Sequence, residues 1–477
     1  MPSMKTPSVY IVEKNAFPNS VVEAPTAIPA FIGITETALN GTESLSGKPW
    51  KITSLTEYHK YFGGAPAPRF ELSIVRKEGT TPTLEMKVPE LLHTFYYNLR
   101  MFFANGGSTC YIVSVGTYSE HKPLSKDAVE KAITALRKEV EVTLLVVPEA
   151  VNVPECKDIQ QAMLMHCGIM QNRFAILDVP QQKAANETMD MLITRFREEV
   201  GSNNLSYGAA YYPWLNTSIL ADSDITDEMF AWGENTTFDG VFDAGSQLLT
   251  YANANIASAG KEFHNAMMQN WEVYHLTVKK AKEQLNLLPP SAAIAGLYSM
   301  VDNSRGVWKA PANYSLTSVN SLAEIISNEQ QEELNMPMNG KAVNAIRSFT
   351  GDGIKVWGAR TLDGNSQDWR YVNVRRTLIF LEESVKNAAR AYVFEPNDAS
   401  TWLNMKCMIE NFLTSVWKRG GLAGSVPEDA FSVHVGLGET MTPEDILNGI
   451  LRITVLVAVV RPAEFIEITF QQQQQRS

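Results

Sequence analysis

Asp178 closes the run RFAILDVP, at the carboxyl end of a strand, where α/β proteins keep ligand-binding and catalytic carboxylates. No second acid, base or metal ligand stands near it in sequence, so it reads as a cap or turn residue. His166, Cys167 and Cys156 are zinc-binding types. Their spacing matches no common ligand pattern, and neighbours on a helix point to different sides. Glu382 and Glu383 near Lys386 and Arg390 have the composition of an acid–base cluster, yet Glu382 and Lys386 stand at the i,i+4 spacing of a solvated helix face. A phosphate cradle needs glycine and free backbone N–H groups at strand ends. Here those ends read VVPEAVNVPE, ILDVPQQK and YYPWLN, with proline, which has no N–H, in the place of glycine. NGKA and SAGKE lack phosphate-loop spacing, and no GxGxxG follows a strand. Neither GxSxG nor HExxH occurs. The expectation is a protein without catalytic residues, metal or cofactor. A triad assembled from distant residues stays open, so the alternative is a soluble α/β enzyme with an unrecognised ligand.

The elements that would position such residues alternate through the middle of the chain. SKDAVEKAITALRKEV, ECKDIQQAMLMHCGIMQN and ANETMDMLITRFREEV have helical patterns; VTLLVVPE, RFAILDVP and SYGAAYYPWL are continuous apolar strands. Strands apolar on both sides, separated by helices, predict a mostly parallel sheet covered on both faces. This gives an α/β domain over residues 121–300. PELLHTFYYNLRMFFANGG predicts a helix stopped by Asn105-Gly106-Gly107, followed by the strand STCYIVSVG. Residues 21–120 and 301–345 read as a linking part, with NEQQEELNMPMNGKAVN as a connector. Residues 346–462 predict an α+β domain. Its strand GIKVWGARTL precedes the helices RRTLIFLEESVKNAARAYVF and TWLNMKCMIENFLTSVWKRGG, and the strands AFSVHVGL and RITVLVAVV follow them.

Composition narrows the function class. The chain has 477 residues, 45% hydrophobic and 19% charged, enough for several cores and slightly poor in charge. The net charge of −11 argues against a general nucleic-acid or anionic-membrane binder. Cys110, Cys156, Cys167 and Cys407 are scattered, as free thiols of a reducing compartment are. The opening MPSMKTPSVYIVEKN lacks the pattern of a secretory signal, and no stretch is long and apolar enough for a membrane helix. A cytoplasmic place of synthesis is expected, and N-x-S/T triplets such as Asn40, Asn216 and Asn235 read as chance.

The closing residues pose a different question. In RITVLVAVV, Ile453, Val455, Val457 and Val459 share one face while Leu456, Ala458 and Val460 share the other, predicting a central strand buried on both sides. Pro462 breaks it. Beyond, Ile466, Ile468 and Phe470 alternate with Phe465, Glu467 and Thr469 as a half-buried strand, before QQQQQRS. This strand either folds back on its own sheet or completes the sheet of another copy. Val9, Tyr10, Ile11 and Val12 have the same character in residues 1–20. The expectation is two strand arms, 1–20 and 463–477, linking copies head to tail into rings or helical tubes.

These strings, in order, resemble the contractile tail sheath proteins of contractile phage tails and phage-tail-like injection systems. The resemblance runs through TPSVYIVE, AIPAFIGIT, ITSLTEYHKYFGG, FFANGGSTCYIVSV, DNSRGVWKAPAN, YVNVRRTLIFLEESV, FEPND and the closing RPAEFIEITF; the five-glutamine run lies outside it. It implies a structural subunit that polymerises around an inner tube protein, contracts to drive that tube through a target envelope, and meets baseplate and terminator or cap proteins. It implies terminal arms that complete the sheet of neighbours' C-terminal domains. That domain would face the tube and the α/β domain would lie outward, in a particle free of nucleic-acid binding or membrane insertion by this chain. Arg375, Arg376, Lys386 and Arg390 are the candidate cations for acidic tube residues, against the plainer reading of a solvated helix face. A sheath polymerises, whereas the enzyme alternative forms a small closed oligomer.

Overall fold

The computed structural model describes residues 21–76, 82–181, 187–233, 236–256 and 258–468. The arm residues Val9, Tyr10, Ile11, Val12 and Phe470 lie outside them. The chain divides into two compact units: Pro25–Arg376 with the segment from Arg461 onward, and the segment up to Ala24 with Thr377–Val460.

The larger unit is built on a nine-stranded sheet. In chain order its strands are β1 (Pro29–Thr35), β2 (Trp50–Ile52), β3 (Cys110–Thr117), β4 (Leu144–Val146), β5 (Phe174–Asp178), β6 (Gly208–Tyr212), β7 (Tyr314–Ser315), β8 (Val343–Phe349) and β9 (Gly353–Val356). They lie in the order β7-β9-β8-β6-β5-β4-β1-β3-β2. From β8 across to β3 all neighbours are parallel, and antiparallel strands close both margins. Alternate residues of the apolar runs enter two cores. Phe31, Leu144, Val146, Phe174 and Ile176 face one; Ala30, Ile32, Leu145, Ala175 and Leu177 face the other. Both sets are buried because helices cover both faces.

On the first face lie α1 (Phe95–Ala104) and α3 (Ser291–Arg305); α2 (Cys156–Met170) belongs to the second. The first two approach closely because Gly296 has no side chain: a Cβ there would stand 2.4 Å from the Phe102 carbonyl oxygen.

The parallel sheet reaches beyond residues 121–300, recruiting β1 and β3 before that span and β8 after it. The expected connector around 328–344 instead forms helix α4 (Asn328–Asn335), with a capping box at Ser327 and Gln330, followed by β8. The strand expected to begin the C-terminal sheet, GIKV, is β9 at the margin of the large sheet, paired with β8.

The division between the units falls inside α5 (Val372–Ala389). The smaller unit holds α6 (Ala399–Lys418), which starts on an Asp398 side chain accepting from Thr401 N at 3.0 Å. Met405, Met408, Ile409, Phe412, Leu413 and Val416 recur at helical spacing and form its buried stripe. Its strands β10 (Phe431–His434) and β11 (Thr454–Val457) pair antiparallel as a two-stranded sheet.

Candidate assembly surface

The carboxyl ends of the parallel strands are where a ligand of this architecture would bind, and the protein fills them itself. Asp178, the last residue of β5, is buried, and its Oδ1 accepts from the Ser291 N–H that opens α3 at 2.7 Å. Glu149, just past β4, does the same for α1. Its Oε1 accepts from Thr94 N at 2.7 Å and Phe95 N at 3.1 Å, and Oε2 accepts from Ile34 N at 3.3 Å. Each carboxylate sits against the positive end of a helix, where a phosphate would otherwise be held. Burial pushes both carboxyls up to about 7, against the lowering effect of those hydrogen bonds. Asp178 thus has the capping role read from the sequence, while Glu149 was missed. Its signal was a carboxylate directly after an apolar strand and a proline.

The zinc-like residues on α2 are also structural. His166 Nε2 lies 3.1 Å from Arg173 Nη1, and burial, then the neighbouring arginine charge, lowers the ring to about 4. The neutral ring therefore accepts from the guanidinium. Cys156 and Cys167 are buried, and desolvation pushes the Cys167 thiol up to about 12. Among the described residues no three His, Cys, Asp or Glu side chains are grouped as a metal site.

Two of the four expected surface cations are interior. Arg376 is paired with Asp302 through contacts of 2.5 and 3.0 Å, with both side chains 3% exposed, and donates to Thr26 O at 2.9 Å. Arg375 lies over the Trp369 ring at 3.5 Å and the Tyr207 ring at 4.2 Å and donates to Ser206 Oγ at 3.0 Å. Both guanidiniums knit the larger unit together and are unavailable to an external acid. Removing one member of a pair like Arg376–Asp302 strands a buried charge, at a cost of about 3–5 kcal/mol. Lys386 and Arg390 are exposed, and Lys386 pairs with Glu383 at 2.7 Å.

In the smaller unit, the β10–β11 sheet is half-built. Val433 is buried on the helix-covered face, with Val455 opposite it. On the other face Leu456, opposite Ser432, is 58% exposed. The expected burial of RITVLVAVV on both sides is therefore absent within the chain. Among the described residues no strand lies along the outer edge of β10. Just past the end of β11, the bridge Leu422–Val459 and an Ala423 N–H donating to Ala458 O at 2.7 Å make a short contact. A two-stranded sheet with open edges is marginal alone and is a template for further strands. The segment entering this unit at residues 21–24 is tied by an ion pair between Glu23 and Arg419 and by Ala24 N donating to Ser384 Oγ at 3.0 Å.

The closing segment belongs to the larger unit. Residues 461–468 form no strand there. Glu464 is gripped by Arg360, with Nε to Oε1 at 2.9 Å and Nη2 to Oε2 at 2.6 Å; Asn335 Nδ2 donates at 2.8 Å and Tyr371 Oη at 3.1 Å. The Glu464 side chain is 19% exposed and that of Arg360 3%. Burial alone would raise the carboxyl, but these donors hold it below its ordinary value. Directly afterwards Phe465, Ile466 and Ile468 are 70%, 78% and 70% exposed, and Glu467 is exposed too. Three large apolar side chains thus stand in water just beyond an anchored residue.

Comparisons with known proteins place the chain in a family. The phage tail sheath protein central domain matches residues 124–362, and the phage tail sheath C-terminal domain matches residues 365–473. The tail sheath protein of Vibrio phage KVP40 is 25% identical over 178 residues, 37% of this chain and 25% of that protein. That of Burkholderia phage BcepMu is 30% identical over 117 residues, 24% of each chain. The chain spans about a quarter of the length of these curated relatives. Solved sheath structures align over nearly the whole chain. The contracted sheath complex of PVC, an extracellular contractile injection system, shows 29% identity over 99% of both chains with a TM-score of 0.63. The contracted helical sheath of the anti-feeding prophage shows 28% identity over 99% of this chain and 100% of that one, with a TM-score of 0.64. With half of the sequence under the central-domain profile and residues 365–473 under the C-terminal one, the chain belongs to the family of contractile tail sheath proteins.

Proposed function

We propose that this chain is a sheath subunit that polymerises into a helical tube around an inner tube protein and contracts to drive that tube through a target cell envelope. The observation that carries the reading is the pairing of an unfinished β10–β11 sheet with an exposed apolar arm after Glu464. In the polymer, arm strands from neighbouring copies complete that sheet. Each ladder bond contributes about 0.5–1.5 kcal/mol net, and each covered Ile466, Ile468 or Phe470 adds roughly 1.5–3 kcal/mol before ordering costs. Such links hold subunits while they rotate and slide, as switching assemblies require.

The partners follow from the same reading. The inner tube is met by the smaller unit through Lys386 and Arg390, the two cations of the original four that are exposed. Baseplate and terminator or cap proteins bound the polymer's ends; a baseplate structure of the anti-feeding prophage also aligns, at 28% identity and a TM-score of 0.63. The subunit is made in the cytoplasm and works within a phage-tail-like particle. It uses no cofactor and carries out no catalysis, in keeping with the occupation of the strand-end helix starts by Glu149 and Asp178.

Negative-stain electron microscopy of the purified full chain, beside a variant lacking residues 465–477, tests the proposal. Tubes or stacked rings from the full chain and single subunits from the truncated one are expected. Equal assembly by both overturns strand exchange through this arm.

A further inference from the structure

The grip on Glu464 has a purpose that a strand exchanged between copies needs. Within one chain, a hairpin turn fixes the register of a new strand. A strand given to another copy has no turn, and a one-residue slip would swap its faces. Here the swap would place Glu467 where Ile466 or Ile468 belongs, burying a carboxylate without a partner. Something at the root of the arm must stop the slip.

We propose that Glu464 is the register pin of the exchanged strand, a positioning residue that fixes where the arm begins and therefore which side chains face the receiving sheet. The inference rests on the strand-exchange reading above. Its geometry is specific. Glu464 Oε1 receives from Arg360 Nε and Asn335 Nδ2, while Oε2 receives from Arg360 Nη2 and Tyr371 Oη. A slip of one residue moves the backbone by about 3.3 Å and brings Ala463 or Phe465 to that place. Neither side chain can accept a hydrogen bond, so the interior Arg360 guanidinium would lose its carboxylate. The transition from held to free is abrupt: Glu464 is largely covered, whereas Phe465 and Ile466 are mostly exposed. The root is thus locked in phase while the strand stays available.

The test is an insertion series in the full-length chain, read as sedimentable polymer and by negative-stain microscopy. One alanine placed between Glu464 and Phe465 exchanges the faces; two alanines restore them. The expected result is a tenfold or greater loss of polymer with one alanine and a loss under threefold with two. Adding Glu464→Ala to the single insertion releases the root to slide by one residue and returns polymer to within threefold of wild type. Thermal unfolding midpoints of the two insertion variants that keep Glu464 match wild type, since the insertions lie in an exposed segment, and the Glu464→Ala double variant is scored at a temperature where its own midpoint shows it folded. If one alanine is tolerated while deletion of 465–477 abolishes polymer, the pin is overturned and strand exchange stands. Equal failure of one and two alanines overturns it in favour of a length limit. Failure of Glu464→Ala to rescue assigns the register elsewhere. Polymer formed without residues 465–477 overturns strand exchange itself.

Discussion

Glu149 and Asp178 hold their protons more tightly in the folded chain than in the unfolded one, each being raised to about 7 from 4.5 and 3.8. The stabilisation this confers is fully present below the unfolded values and is lost as pH rises through about 7. Each group contributes a slope of at most about 1.4 kcal/mol per pH unit in that window. Glu464 has the opposite sign: its folded value is depressed, so its contribution is present above 4.5 and disappears in acid. Chemical denaturation of the larger unit between pH 5 and 8 should show stability falling toward neutrality, and Glu149→Gln with Asp178→Asn should flatten that fall. An unchanged slope would show that other groups set it. Sequence alone placed Asp178 well, because a strand-end carboxylate in α/β proteins is either catalytic or a cap. It misplaced Arg375 and Arg376, since their partners Trp369, Tyr207 and Asp302 come together only through the fold. Adjacent arginines at a helix start look the same whether solvated or enclosed.

At the scale of elements, the parallel strands were legible because burial on both faces removes polar alternation, leaving short apolar runs such as VTLLVV and RFAIL. Helix α4 is not legible in the sequence, because its polar run NEQQEELN has one buried residue, Leu334, and its capping box precedes no apolar periodicity. β9 was assigned to the wrong sheet because four residues of alternating pattern do not specify a partner. The apolar faces of β11 were read correctly as a pattern, yet within the chain they are only half covered. That discrepancy carries a prediction. Leu456→Lys changes an exposed position, so the stability of the isolated subunit should move by less than about 0.5 kcal/mol. Sedimentable polymer should nevertheless fall at least tenfold, because the proposed strand exchange covers the open face. Normal polymerisation of this variant would show that the face stays in water throughout.

For the whole molecule, the division of labour between the units sets what a sheath must grip and what it must release. The proposed arm bonds would be many and cooperative, whereas the proposed tube contact rests on two exposed cations that water and salt screen. Lys386→Glu with Arg390→Glu should therefore leave sheath polymer intact while reducing recovery of the inner tube with it several-fold, measured by co-purification at low and physiological salt. Retention of the tube at wild-type level would move that contact elsewhere on the smaller unit. The filled helix starts extend this logic to solutes. Because α1 and α3 begin against internal carboxyl groups, the protein carries its own hydrogen-bond acceptors covalently. Shortening Glu149 to glycine would turn a built-in acceptor into a vacant receptor of formate or acetate size. A structural subunit would then become a host whose stability follows the concentration of a small guest.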